Sequence, residues 1–209
     1  MPTPTGPADP LLIACALGIE RLALRGGARG LVTVLRTGMG PQAAERGVAR
    51  ALGGEPEPGR TAVIATGFCA GLAPGMHPGD LVLATETRDD EGRTRCTETR
   101  RLAEALAPLG TLHTGPLAGS GHVVRGAERA ALRGTGALAV DMESAATLRT
   151  AVRGVPDRPV AAVRVVVDAP QHELIRFGTL KGGISAFRVL RAVLPAFSEW
   201  HRTLLLPRR

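Results

Sequence analysis

The sequence predicts an α/β fold: a single domain whose central, twisted, mixed and mostly parallel sheet is flanked by helices. Two patterns carry this expectation. Short apolar runs rich in β-branched residues recur along the chain: LLIACAL from Leu11, LVTVLR from Leu31, TAVIAT from Thr61, GDLVLAT from Gly79, LAVDM from Leu138 and PVAAVRVVV from Pro159. Runs that are apolar on both faces read as strands covered on both sides. Between several of them lie Ala-, Leu-, Arg- and Glu-rich stretches of helical spacing, at 41–52, 100–106, 128–133 and 144–152. Strands alternating with helices build a sheet layered between helices.

The chain's 209 residues, 44% of them hydrophobic, suffice for one domain with a substantial core. The Pro-rich leader 1–10 reads as disordered, and the domain as 11–209. Gly53–Gly59 (GGEPEPG) and Asp89–Arg95 read as surface loops. Ile184 to about Leu206 carries apolar residues near a 3.6 period and reads as one closing helix, kinked at Pro195.

Aromatic residues make up 2% of the chain, with no Tyr and one Trp. That excludes a single-strand nucleic-acid binder built on stacking platforms, and no nucleic-acid partner is expected. The net charge of +7 is spread over scattered arginines, with Lys181 the only lysine. It reads as a generally basic surface, with contact to an anionic membrane surface as the functional alternative. Cys15, Cys69 and Cys96 form no CxxC pair, which fits a reducing, cytoplasmic setting. No segment resembles a signal peptide or a membrane span.

In such a sheet, ligands sit beyond the carboxyl ends of the strands. Glu20, Gly38-Met39-Gly40, 67–71, Glu143 and Asp168 stand there. A carboxylate following a strand too apolar to face solvent is costly unless it is paired or used. Each acid alone could serve as a helix or turn residue, with Arg164 as a partner for Asp168. Together, two strand-end acids suit N-glycoside cleavage: one protonates the leaving base, while a carboxylate steadies an oxocarbenium-like sugar. No metal is indicated, because none of the five histidines forms an HExxH pair and His172, four residues after Asp168, falls in a predicted loop. Ser120 lies in a strand-end loop that does not fit GxSxG, and the GxG at Gly38 lacks the third glycine of a dinucleotide fingerprint.

Three ordered stretches, TGFCAGLAPGMHPGDLV (66–82), VDMESAA (140–146) and PVAAVRVVVD (159–168), resemble the signatures of the purine nucleoside phosphorylase and methylthioadenosine/S-adenosylhomocysteine nucleosidase superfamily. IACALGIE, RTGMG, GSGHVV and the closing helix follow in that family's order, so the resemblance spans nearly the whole chain. It implies a nucleoside phosphorylase-like three-layer fold and an enzyme that transfers an N-glycosyl group to phosphate or water. On the matching positions it makes Asp168 the acid to purine N7 and Glu20 the activator of an attacking water. Glu143 then holds the ribose hydroxyls with Met142 packed beneath the sugar. Cys69 and Ala70 line the pocket, Val123 and Val124 read the purine edge, and Gly38 and Gly40 flank the phosphate or water site. No cofactor is implied beyond inorganic phosphate as co-substrate in a phosphorolytic branch, and the family assembles as dimers or larger homo-oligomers.

Phe68 and Val167 stand where that family commonly has serine, and Asp141 where it has glutamate. With GALAVDMESAA, GMGPQAAERG and FGTLKGG, the chain most resembles the hopanoid-associated phosphorylase branch, whose substrate is the lipid-linked nucleoside adenosylhopane. The alternatives are a methylthioadenosine, S-adenosylhomocysteine or futalosine type of nucleosidase and, from another class, a non-catalytic nucleoside- or lipid-binding protein.

Overall fold

The computed structural model describes residues 10–26, 32–168 and 180–204. Leader residues 1–9, Leu31, His172 and residues 177–179 of FGTLKGG lie outside the described residues.

The apolar runs form strands β1 (Leu11–Cys15), β2 (Val32–Arg36), β3 (Ala62–Gly71), β4 (Leu81–Asp89), β7 (Ala139–Asp141) and β8 (Val160–Asp168). Two more strands, β5 (Gly92–Arg95) and β6 (Leu112–Gly119), were not expected. The sheet runs β2-β1-β3-β7-β6-β4-β5, and β8 pairs with both β3 and β4. β3, β7, β6, β4 and β8 therefore form a closed ring, with β1 and β2 continuing from one side. Most pairings are parallel; β3 with β7, β4 with β5 and β4 with β8 are antiparallel. The mixed three-layer sheet expected from the sequence is the one observed.

Alternation along the strands sends side chains to two cores. Leu11, Ile13 and Cys15 of β1 join Val163 and Val165 of β8 in one cluster. It is covered by helices α1 (Gly18–Arg25), α3 (Thr99–Leu106), α6 (Leu180–Ala192) and α7 (Leu194–Leu204). Leu12 and Ala14 face the other way with Ala162 and Val166, under Val48 of α2 (Pro41–Leu52) and Leu148 and Ala151 of α5 (Ser144–Val152). Remaining on the flank is α4 (Gly126–Gly134), in which Arg129 is the buried residue. None of the described helices is long and apolar enough to cross a membrane.

Two local expectations are corrected, and one helix is added. The closing helix is two helices, α6 and α7, separated at Val193, and Pro195 sits in the first turn of α7, where its missing N–H has no helical partner to lose. Asp89–Arg95 is a tight hairpin between β4 and β5 rather than a loop; GRTR has no apolar residue because it is an edge strand. The added helix, α1, begins at 18, separated by two residues from the end of β1, with no polar cap residue ahead of it.

Candidate active site

The carboxyl ends of β1, β3, β7 and β8 open onto one cleft of about 330 Å³. It is lined by Glu20, Cys69, Ala70, Val123, Val124, Met142, Glu143 and Asp168, the positions singled out from the sequence, and by Met39, Phe68 and Val167.

Glu20 occupies the third position of α1 and folds back on its own helix start. Its Oε2 accepts the N–H groups of Ala16 (2.9 Å) and Leu17 (2.8 Å), and Oε1 accepts that of Phe68 (2.8 Å). The carboxylate therefore satisfies helix-start donors and ties β1 to β3 while remaining in the cleft wall. Gly67 makes this approach possible. It has φ +136, and a Cβ there would stand 2.8 Å from Arg164 Nη1 and closer still to Glu20 Oε1.

Glu143 and Asp141 divide two tasks at the start of α5. Asp141 Oδ1 accepts the Ser144 N–H at 3.1 Å, and Oδ2 accepts its hydroxyl at 2.5 Å, so Asp141 serves the helix start. Glu143, the residue just before the helix, makes no cap. Its Oε1 instead accepts the Gly40 N–H at 2.9 Å. The amide of Gly40 is thereby engaged by a protein carboxylate, and neither Gly38 nor Gly40, both expected at a phosphate or water site, is among the cleft-lining residues. Both glycines have positive φ, +91 and +88, which the turn into Pro41 requires. Burial pushes the Glu143 carboxyl up from its ordinary range; the Arg164 guanidinium opposes the rise and Asp141 adds to it.

Arg164 is the cation of this end of the site, not the partner of Asp168. Four strand residues span about 13 Å, too far for the side chain to return to the strand end. Its Nε lies 2.5 Å from Asp141 Oδ2 and donates to Ser144 Oγ at 2.9 Å, while Nη1 donates to the Thr66 carbonyl at 3.1 Å. Nη2 is buried with no hydrogen-bond partner among the described residues, 4.0 Å from Glu143 Oε2. Among the described residues, Asp168 is held by Arg129, whose Nη1 donates to Asp168 Oδ2 at 2.9 Å and whose Nη2 donates to the Gly71 carbonyl at 2.7 Å. Nothing in the sequence marks it, since Arg125, Arg129 and Arg133 look alike on a helix and only packing shows which is buried.

The cysteines are free, and burial pushes the Cys15 thiol up to about 12, so it is a packing residue. Ser120 donates its hydroxyl to the His122 carbonyl at 2.9 Å, as a loop residue does.

A family model, that of the phosphorylase superfamily, matches residues 20–195. Among solved structures, the chain is similar to the 5′-methylthioadenosine/S-adenosylhomocysteine nucleosidase of Neisseria meningitidis in complex with methylthio-immucillin-A. The identity is 17% and the TM-score 0.73, over 94% of this chain and 99% of that one. The S. pneumoniae nucleosidase of the same kind, with a transition-state inhibitor, is similar at 21% identity and a TM-score of 0.70, over 90% and 98%. The S-adenosylhomocysteine nucleosidase of Streptococcus pyogenes is similar at 17% identity and a TM-score of 0.68, over 98% and 100%. No curated protein matches the chain. Likeness at these identities shows a shared fold, and the family match covers most of the sequence in the region that builds the cleft: the chain belongs to the phosphorylase superfamily.

Proposed function

We propose that the protein cleaves the N-glycosidic bond of a purine nucleoside to release adenine, and that the nucleoside carries a long apolar 5′ substituent, as adenosylhopane does. The observation that carries this reading is the convergence of Glu20, Glu143 and Asp168 on one cleft. A purely binding protein would need its acids solvated or turned away from the cleft, and they line it.

In this reading the C1′–N9 bond breaks with its electron pair going to the base, and the Asp168 proton moves to N7. Glu143 accepts hydrogen bonds from the ribose hydroxyls as positive charge grows on the sugar. Water bonds to C1′ and gives its proton to Glu20. Water suits this end of the cleft better than phosphate, because Glu20, Asp141 and Glu143 cluster around the Arg164 guanidinium, and a dianion would meet three acids.

The apolar 5′ substituent is supported by the cleft rim, where Met39 is 63% exposed and Phe68 and Val167 extend the apolar wall. Contact of the basic exterior with an anionic bilayer belongs to the same reading, and so does assembly of two or more copies, for which exposed Ile19 and Leu22 of α1 offer apolar surface.

The test is adenine release from adenosine, methylthioadenosine and an adenosine with a long 5′ alkyl chain, each with and without phosphate. The expected result is fastest release from the alkyl substrate, independent of phosphate. Release that requires phosphate overturns the role of water. Methylthioadenosine cleaved fastest, with no gain from the chain, replaces the lipid-linked substrate by a methylthioadenosine type of nucleosidase. No release from any of them overturns the enzyme reading.

A further inference from the structure

We propose that Arg129 is a positioning residue for the acid, holding Asp168 at the base end of the cleft and balancing the charge left on it when its proton goes to the base. This rests on the reading of Asp168 as the acid.

Asp168 needs such an anchor because of where it sits. The register between β3 and β8 shifts between Cys69 and Ala70, so that Cys69 pairs with Val166 but Ala70 with Asp168. Val167 is the extra residue, and a bulge of this kind re-aims the side chains that follow it. The ladder alone therefore does not fix the Asp168 carboxylate. Arg129 does so from the side, one guanidinium bridging the carboxylate at the end of β8 and the Gly71 carbonyl at the end of β3. The planar fork holds both acceptors in fixed geometry, which a lysine ammonium cannot reproduce.

Packing alone gives no reason for a charge here. Arg129 is the buried residue of α4, 8% exposed, in the place where a surface helix ordinarily presents an apolar side chain. Its Nε is buried with no hydrogen-bond partner among the described residues, so the contact is kept at a desolvation cost. Proton transfer offers the return: as the Asp168 proton moves to N7 and the C1′–N9 electron pair passes to the base, the carboxylate formed lies 2.9 Å from Nη1.

The experiment compares two leaving groups in the wild type, Arg129→Met and Arg129→Lys. One is adenine, from whichever adenosine the wild type cleaves best. The other is 4-nitrophenolate from 4-nitrophenyl β-D-ribofuranoside, which departs without a proton. Expected in Arg129→Met is a fall of about 10²-fold in kcat for adenine release with little change in KM, as for a misplaced general acid. Nitrophenolate release should change by less than about threefold, and Arg129→Lys should lie between the two enzymes on adenine. Equal losses on both substrates would show that Arg129 only holds α4 in place and overturn the proposal. Wild-type rates on both would do the same. Should Arg129→Met fail to fold, Arg129→Lys carries the comparison alone. A wild type that releases neither group refutes the glycosidase reading itself, an outcome distinct from failure at Arg129.

Discussion

Arg164 and Asp141 form an ion pair with both side chains 1% exposed, the guanidinium Nε 2.5 Å from Oδ2. The pair joins the middle of β8 to the start of α5, and Ser144 closes it by bonding to both partners. Deleting one charge leaves the other buried and uncompensated. Arg164→Met is expected to cost about 3–5 kcal/mol of stability in urea unfolding. A cost under about 1 kcal/mol would show that water reaches the pair.

Glu143 gives a pH dependence with a definite sign. Because burial raises its folded value, the native state keeps a proton that the unfolded chain has already released. The stability from this group is complete below the ordinary carboxylate range and is lost as pH rises through the raised folded value. Glu143→Gln should therefore gain on the wild type in unfolding measurements taken from about pH 4 to about pH 8. A difference that stays flat or shrinks with pH contradicts the shift.

Glu55 runs in the opposite direction. Burial works to raise it, but hydrogen bonds from Arg158 and Thr61 and the Arg158 charge bring it down to about 2. Its contribution is present above the ordinary carboxylate value and is lost as pH falls through about 2. Glu55→Gln should be less stable than the wild type at neutral pH and should converge on it in strong acid. The two-pronged contact of Arg158 Nη1 (2.8 Å) and Nη2 (2.6 Å) with Glu55 is what that comparison reads.

Gly67→Ala probes the close approach of β3 to Glu20. The added methyl would meet Glu20 and Arg164 at a backbone angle that favours glycine. Shifting either group by about 1 Å should lower turnover by about 10²-fold. Turnover at the wild-type level in this variant would mean that Glu20 is not held where the chemistry occurs.

How much of this was legible in the sequence depended on what each residue had to contrast with. Glu20, Glu143 and Asp168 stood out because each carboxylate follows a strand too apolar to face water. β8 and β3 were legible for the same reason, as runs apolar on both faces. β6 was hidden by Gly115 and Pro116 in its middle, which break the apolar run, and α1 by the leucine that precedes it. The positions of the cations were not legible. Arg129, Arg158 and Arg164 are three arginines among many, and their roles arise from partners 39, 103 and 20 residues away in sequence. The GGEPEPG segment reads as a solvated loop, yet its Glu55 reaches inward to Arg158.

The closed ring of strands has a consequence for the order in which the site comes into being. β8 seals the ring between β3 and β4 and is the last of the described strands along the chain; it brings both Arg164 and Asp168. Until it docks, Asp141 and Glu143 face each other without their counterion, and the cleft has no acid. A chain emerging from the ribosome therefore holds Glu20, Asp141 and Glu143 well before the residues that balance them, and the segment that completes the barrel-like ring is also the one that makes it reactive.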